Sequence, residues 1–287
     1  MKLALGTVQF GLPYGIANDN GQVTEKDAKL ILDCAAESDI NTLDTAVGYG
    51  DSEQCLGNIG IDDWRIITKL PIIPRDCSNV KDWILYQVAE SLARLKVKQI
   101  KGLLLHRPLQ LLDPVGQEIW STLQDLIQSG IVEKIGYSIY EPKELDQLWS
   151  KYQPNIIQTP FNVFDRRIKT SGWLKKMHNN NVEVHVRSIF LQGLLLMGKE
   201  KRPAIFDHWN PIWEEWDKWL EKEKLSPLEA SLGFVNSELM VDRIVVGVDS
   251  LKQLKEIIVL SEIQIECIPC TISTNDQNLI NPSNWIL

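Results

Sequence analysis

The chain lacks the features that mark several large classes of protein. Its 287 residues contain no run approaching the roughly 20 apolar residues that a membrane-spanning helix needs. The 38 acidic residues outnumber the 30 basic ones, and a net charge of −8 disfavours non-specific binding to nucleic acid or to an anionic membrane. The segment from Met1 to Gly6 is too short for a secretory signal peptide and meets a glycine too early. We therefore expect neither a nucleic-acid partner nor a membrane partner.

Cysteine is scarce, and its pattern is not that of a disulfide framework. The five cysteines are an odd number spread over a long chain, which predicts a reducing compartment and hence a cytoplasmic protein. Cys267 and Cys270 have the spacing of a metal-binding or redox pair, but no second pair accompanies them, so we expect a structural or incidental role. His178 and His185 show no metal-ligand spacing with acidic residues, and no metal site is predicted.

Short apolar runs alternate with segments of helical spacing along the chain. The predicted strands are the apolar runs 3–7, 40–44, 65–69, 101–106, 133–138, 154–159, 182–188 and 243–247. The predicted helices are the segments 25–38, 52–58, 79–95, 118–129, 142–150, 166–179, 211–236 and 250–259. Because buried strands alternate with helices, the sheet should be parallel, and eight repeats favour a closed barrel over an open sheet.

No interdomain linker or low-complexity segment interrupts this pattern, and α/β barrels of this length are single domains. No Gly-x-Gly-x-x-Gly follows the first strand, which argues against a Rossmann sheet. We therefore predict an α/β fold with one (β/α)8 TIM barrel domain over residues 1–287. The part of the chain after about residue 261 lacks a regular pattern and is predicted to be an irregular tail.

Four polar residues stand where predicted strands end or just beyond. Asp44, Lys69 and His106 each close a buried run, and Tyr49 follows Asp44 in the next loop. The C-terminal ends of the strands are where a barrel builds its active site. Each residue taken alone has an ordinary alternative, such as a helix cap, a surface lysine, a structural histidine or a loop aromatic. Together, from three successive strands, they can form one proton-transfer device.

Six motifs in order resemble those of the aldo/keto reductase superfamily. They are Leu-Asp-Thr-Ala-Val-Gly-Tyr-Gly-Asp-Ser-Glu (43–53), Ile-Thr-Lys (67–69), Leu-Leu-Leu-His-Arg-Pro (103–108), Gly-Tyr-Ser (136–138), Ile-Gln-Thr-Pro-Phe-Asn (157–162) and Val-Val-Gly-Val-Asp-Ser (245–250). The similarity extends from Leu5 to about Leu260. It implies an NAD(P)-dependent oxidoreductase that reduces an aldehyde or ketone.

Carbonyl reduction needs a hydride at carbon and a proton at oxygen. The resemblance assigns the acid to Tyr49, a tuning role to Lys69 and Asp44, and substrate orientation to His106. These roles agree with the chemistry of the side chains. A free phenol has a pKa near 10, a nearby cation favours its phenolate, and an imidazole can donate a hydrogen bond to the substrate oxygen. Two alternatives remain: a nucleotide-binding regulatory subunit with little turnover, and a cofactor-independent barrel lyase or isomerase.

The resemblance also implies a set of cofactor-binding positions. They are Gly6, Thr7, Asp44, Ser138, Gln158, Arg187, Ser188, Gly247, Asp249, Ser250, Lys252 and Gln253. Two positions depart from the family pattern: Ile139 replaces an asparagine after the serine, and Arg187 replaces an aromatic residue that stacks on the nicotinamide. For the turn after the eighth strand, an alternative is a plain strand–helix turn capped by Asp249 or Ser250.

The expected cofactor is NADP(H), with NAD(H) as the alternative. Gly247 and Gln253 occupy two positions that are basic in strongly NADPH-selective members of the family. Lys252 is adjacent and could reach a 2′-phosphate, whereas Asp249 could repel it. The sequence therefore predicts weaker NADPH selectivity than is usual for the family, with Lys252 supplying what remains.

Four further features complete the predictions. Trp209, Trp213, Trp216 and Leu220 share one helical face, which indicates core packing in preference to an aromatic wall around a ligand.

Glu53 is expected to cap or anchor the loop that carries Tyr49. The run 199–202 is predicted to be a solvated loop, with folding over a cofactor as the alternative. The opening 5–15 is similar to a bacterial subgroup associated with surface-sugar synthesis, which favours a sugar-derived carbonyl as the small-molecule substrate; the oligomeric state is left open.

Overall fold

The computed structural model describes residues 2–265 and 267–285, and the chain forms a closed barrel of eight parallel strands. The strands are β1 (Leu3–Gly6), β2 (Thr42–Asp44), β3 (Arg65–Leu70), β4 (Ile100–Leu105), β5 (Val132–Ser138), β6 (Ile156–Pro160), β7 (Glu183–Arg187) and β8 (Arg243–Gly247). Each strand pairs with the next in sequence, and β8 closes on β1 with Gly6 opposite Gly247. The predicted (β/α)8 barrel is confirmed.

Helices surround the barrel. They are α1 (Glu25–Glu37), α2 (Ser52–Ile59), α3 (Val80–Leu95), α4 (Gly116–Gln128), α5 (Lys143–Leu148), α6 (Arg167–Thr170), α7 (Trp173–Asn179), α8 (Asn210–Glu223), α9 (Pro227–Asn236), α10 (Leu251–Val259) and α11 (Gln277–Ile280). The main core lies between strands and helices, whereas Ile67, Leu104 and Ile156 form a separate small cluster. Across the described residues, no helix combines the length and the apolar character that a bilayer span requires.

Two predicted helices were wrong in length because each is interrupted by a left-handed residue. The segment 211–236 forms α8 and α9, since Lys224 has a φ of 56° and Ser226 starts a new helix with a capping box to Glu229. The segment 166–179 forms α6 and α7, with Gly172 at a φ of 82° between them. A φ in this region ends a right-handed helix.

The tail is more ordered than the sequence predicted. It contains α11 and a short 3₁₀ helix at Pro282–Asn284, and Trp285 packs edge-on against Phe206. The tail shares a second hydrophobic cluster with Trp213 and Trp216, both buried and packed against Phe164. The tryptophan face is therefore core, as its helical spacing predicts, and the tail covers it.

Candidate active site

Lys69 lies at the centre of a buried polar group at the C-terminal mouth of the barrel. Its side chain is fully buried, and its Nζ donates to Asp44 Oδ2 at 2.7 Å and to Asp44 Oδ1 at 2.9 Å. The same Nζ lies 2.9 Å from the carbonyl oxygen of Thr45 and 3.2 Å from Tyr49 Oη. Neighbouring strands β2 and β3 bring Asp44 and Lys69 together, and the following loop returns Tyr49 over them.

The charge of Lys69 is stable in this environment. Burial alone would lower the pKa of the ammonium group, but the Asp44 carboxylate and the Tyr49 oxygen outweigh that effect and raise the pKa above its usual value. The buried lysine is therefore a fixed cation beside the Tyr49 hydroxyl. A fixed cation stabilises negative charge on that oxygen, which is the electrostatic requirement for a phenol that gives up a proton.

His106 follows β4 and faces Tyr49 across the site. The two rings meet edge to face with centroids 6.1 Å apart. Burial, reinforced by the positive charges of Lys69, Arg187 and Arg107, lowers the pKa of His106 to about 4. The imidazole is therefore neutral at pH 7, with one N–H to donate and one nitrogen to accept.

The loop that carries Tyr49 is held firmly from two sides. Beneath it, the buried Glu53 carboxylate accepts hydrogen bonds from Thr68 Oγ1 and Ser91 Oγ, both at 2.6 Å, and forms an ion pair with Arg94 at 2.7 Å. These contacts tie α2 to β3 and α3. The prediction that Glu53 anchors this loop agrees with the geometry.

Glycines hold the same loop from above. A Cβ on Gly11 would lie 1.8 Å from the carbonyl oxygen of Tyr49, and one on Gly50, which has a φ of 54°, would lie 2.4 Å from the carbonyl oxygen of Gly11. Only glycine permits this approach of two backbones. The loop after β1 therefore packs directly against the backbone of Tyr49.

Asp44, Tyr49, Lys69 and His106 form a tetrad, and a cavity of about 470 Å³ opens beside this tetrad and runs toward β8 and α10. Its lining includes most of the predicted site residues, namely Gly6, Thr7, Asp44, Tyr49, His106, Ser138, Arg187, Ser188, Gly247, Asp249 and Gln253. The structure thus brings these residues together on one continuous wall.

Four predicted site residues lie outside that wall. Lys69 lies beneath it, and Gln158 is fully buried, where its Nε2 donates to Asp44 Oδ1 at 2.6 Å. The hydroxyl of Ser250 caps α10 by accepting from the N–H of Gln253 at 3.3 Å. The side chain of Lys252 is 86% exposed and lies 3.9 Å from Glu256, so it faces solvent and not the cavity. Their predicted contacts with a cofactor stay predictions.

Sequence reasoning missed several cavity residues. Gln9 and Tyr14 come from the loop after β1, Tyr140 follows β5, and Gln192 follows β7. Gln192 Nε2 donates to Tyr14 Oη at 3.1 Å, so these two loops meet over the cavity. Gln9 and Tyr14 lie in the segment 5–15, which carried part of the resemblance. That resemblance was the sequence feature that could have indicated a role for these two residues in the cavity.

Two unpaired polar atoms lie along the far part of the wall. Gln9 Oε1 and Asp249 Oδ1 are buried without a hydrogen-bond partner among the described residues, and burial raises the pKa of Asp249. A Cβ on Gly247 would lie 2.6 Å from Gln9 Nε2, so a larger residue there would have to move the end of the Gln9 side chain. Unpaired buried acceptors suit the hydroxyl donors of a ligand, which fits the ribose groups of a nicotinamide nucleotide.

Neither the cysteine pair nor the basic run contributes to the cavity. Cys267 and Cys270 are both exposed and free, and the segment 199–201 forms a short exposed 3₁₀ helix. The described parts of the chain contain no group of three or more His, Cys, Asp or Glu arranged to hold a metal ion.

Comparison with known proteins agrees with the geometry. Residues 2–267 match the model of the aldo/keto reductase family. The chain belongs to this family. Membership of the aldo/keto reductase family supports an oxidoreductase activity, and it indicates a small molecule as the class of substrate.

One curated relative of this aldo/keto reductase is the 6-dehydroglucose reductase of Novosphingobium aromaticivorans. It is 33% identical over 163 residues, and the match covers 51% of each protein. The chain therefore spans about half the length of the curated relative that it matches.

Solved structures support the barrel. The holo form of the aldo-keto reductase AKR11C1 from Bacillus halodurans is 22% identical, with a TM-score of 0.70 over 93% of this chain and 88% of that one. An aldo-keto reductase structure from Pseudomonas aeruginosa is 20% identical, with a TM-score of 0.67 over 91% and 89% of the two chains. At these identities the likeness concerns the fold.

Proposed function

We propose that this aldo/keto reductase reduces an aldehyde or ketone to an alcohol, with Tyr49 as the proton donor and NADP(H), or alternatively NAD(H), as the cofactor. One observation carries the proposal: a single buried ammonium group lies within hydrogen-bonding distance of both the Asp44 carboxylate and the Tyr49 hydroxyl, at the end of a cavity. Family membership supports carbonyl reduction as the general class of reaction.

The proposed cofactor positions form a continuous surface for a nucleotide. Ser138, Arg187 and Ser188 line the cavity near the tetrad, and Gly6, Thr7, Gly247, Asp249 and Gln253 line it toward β8. Gln158 and Asp44 lie just behind this wall, hydrogen-bonded to each other. When bound, the reduced nicotinamide supplies hydride to the carbonyl carbon.

The side chains of the tetrad supply the proton that the carbonyl oxygen receives during reduction. The Tyr49 hydroxyl donates its proton to the carbonyl oxygen, and the Lys69 cation stabilises the phenolate that remains. Asp44 keeps Lys69 directed at Tyr49 through two hydrogen bonds. His106 is neutral at pH 7 and donates its N–H to the same carbonyl oxygen, which fixes the carbonyl for attack.

The substrate is proposed to be derived from a sugar, and the site of action to be the cytoplasm. The name of the curated relative, 6-dehydroglucose reductase, supports the first proposal for the half of the chain that it matches. The free cysteines at all five positions support the second. The intact tetrad favours turnover over a purely regulatory nucleotide-binding role.

The experiment that tests the function is turnover by Tyr49→Phe on a panel of aldehydes and ketones with NADPH and NADH. We expect a rate loss of about 10²–10⁴-fold with nucleotide affinity nearly unchanged, because only the donor hydroxyl is removed. Tyr14→Phe is the matched control, since its hydroxyl lies in the same cavity but is bound by Gln192. Wild-type turnover by Tyr49→Phe would rule out Tyr49 as the acid, and a wild-type protein inert toward the whole panel would contradict the proposed function.

A further inference from the structure

Arg187 brings an unbalanced positive charge to the wall of the cavity. The residue ends β7 and is half-buried, with its Nη1 donating to Ser188 Oγ at 3.2 Å and its Nη2 donating to the carbonyl oxygen of Ile139 at 3.1 Å. Throughout residues 2–265 and 267–285, no carboxylate oxygen approaches the guanidinium to within 4.0 Å. Neutral acceptors therefore hold the cation in place without compensating its charge.

The charged groups packed around Arg187 leave this region positive. The guanidinium carbons of Arg187 and Arg107 lie 4.6 and 4.9 Å from the centre of the Tyr140 ring. Glu144 is the nearby carboxylate, but its Oε1 already accepts the backbone N–H groups of Tyr140 at 2.7 Å and Glu141 at 2.8 Å. Two cations thus share one aromatic ring, and the neighbouring acid is directed at the backbone.

The remaining charges at this end of the cavity do not alter that balance. The Asp44 carboxylate is neutralised by Lys69 at 2.7 Å. Burial is the main cause of the lowered pKa of His106, and the charges of Lys69, Arg187 and Arg107 lower it in the same direction. A positive field in a chain whose net charge is −8 is a local feature and not a property of the whole surface.

The opposite end of the cavity has the reverse character. Asp249 and Glu256 line it near β8 and α10, and the adjacent Lys252 side chain faces solvent. An anionic group that entered the cavity would therefore be attracted to the end that holds Arg187 and the tetrad. That end is where the carbonyl must lie for Tyr49 to protonate it.

We propose that Arg187 binds an anionic group on the carbonyl substrate, a carboxylate or a phosphate, and so selects acidic carbonyl compounds over neutral ones. A guanidinium offers five N–H donors in a planar fork, and here two nitrogens each make one hydrogen bond. The remaining N–H groups suit two oxygens of one anion. The inference rests on the proposed function for the reaction, and it adds the charge class of the substrate.

The first test compares charged and neutral carbonyl compounds of matched shape. One pair is 4-oxobutanoate and 4-oxobutanamide, and the other is glyceraldehyde 3-phosphate and glyceraldehyde. We expect the wild-type protein to prefer one charged member, and Arg187→Met to lower its kcat/KM by about 10–100-fold, the loss typical of a hydrogen bond to a charged group. The neutral members should change less than about threefold. The preferred pair distinguishes a carboxylate from a phosphate.

Two variants control for charge and for folding. Arg187→Lys keeps the charge without the planar fork and should retain an intermediate preference for the charged substrate. Arg107→Gln removes the cation that contacts the same ring but does not line the cavity, and it should change kcat/KM by less than about threefold. If Arg187→Met does not fold, the comparison of the wild type with Arg187→Lys still tests the inference. A preference for the charged substrate that is equal in the two proteins, or absent from both, would contradict it.

A binding measurement separates this inference from the proposed function. Calorimetric titration with 4-hydroxybutanoate, glycerol 3-phosphate and their neutral counterparts 4-hydroxybutanamide and glycerol requires no turnover. Tighter binding of an anion that Arg187→Met abolishes would support the inference even if the protein reduced no carbonyl. Equal binding and equal kcat/KM for charged and neutral members would overturn it. A larger loss of affinity for the nucleotide than for the anion in Arg187→Met would also overturn the inference, because the main role of Arg187 would then be to bind the cofactor.

Discussion

The lowered pKa of His106 predicts a specific dependence of stability on pH. Its value is about 4 in the folded protein, against 6.5 for an unperturbed imidazole. The folded state therefore binds fewer protons than the unfolded state between these two values, and the free energy of unfolding falls as the pH is lowered through that window. The contribution is fully present above pH 6.5 and is lost on approaching pH 4. At 1.36 kcal/mol per pH unit, the difference is about 3 kcal/mol.

Urea unfolding at a series of pH values between 7 and 4 measures this contribution. We expect His106→Asn to lose about 3 kcal/mol less stability over that interval than the wild type, because an amide does not titrate there. His178→Asn is the matched control, since His178 lies exposed at the end of α7 and should leave the wild-type slope unchanged. Equal slopes for wild type and His106→Asn would refute the reasoning and would mean that His106 is as readily protonated as a free imidazole.

Three further predictions concern single features of the site and the tail. Lys69→Met should destabilise the protein by about 3–5 kcal/mol, because it leaves the Asp44 carboxylate buried without its counter-ion, and Lys69→Met with Asp44→Asn should recover part of this loss in urea unfolding. Turnover by Lys69→Met should fall and its pH–rate profile should change; an unchanged profile would count against a tuning role. Lys252→Ala should raise the Kd for NADPH by a factor of about two to five and that for NADH by less, as measured by fluorescence titration, because a solvent-exposed ammonium group beside the cavity can attract the 2′-phosphate only weakly. Equal effects on both nucleotides would place the phosphate elsewhere. Cys267→Ser with Cys270→Ser should leave activity and thermal unfolding unchanged, because both thiols are exposed, and co-purifying zinc that disappears in this variant would reveal a metal site.

The barrel and the tetrad could be predicted because both follow from a local pattern. A buried strand that ends in a polar residue is visible in a few consecutive letters, and parallel pairing then brings Asp44, Lys69 and His106 to the same end of the sheet. The helix breaks were harder to predict. A lysine does not signal the left-handed conformation that Lys224 adopts at the end of α8. The Ser-Pro pair that begins α9, in contrast, is a recognisable signal for the start of a helix.

The rest of the cavity depends on contacts between residues that are distant in the sequence. Gln192 meets Tyr14 across 178 positions, and the direction of the Lys252 side chain depends on how α10 lies against the barrel. Arg187 illustrates the same limit. Its position at the end of β7 was predictable, but its uncompensated charge became visible only once the surrounding acids had been located.

The close approach of Gly11 to the backbone of Tyr49 has a practical consequence for protein engineering. Since a Cβ at this position would lie 1.8 Å from the Tyr49 carbonyl oxygen, any other residue would displace the backbone of Tyr49, the proposed proton donor. Tyr14, three residues beyond Gly11, lines the cavity without that constraint. A mutant library designed to change substrate range should therefore vary Tyr14 and leave Gly11 unaltered.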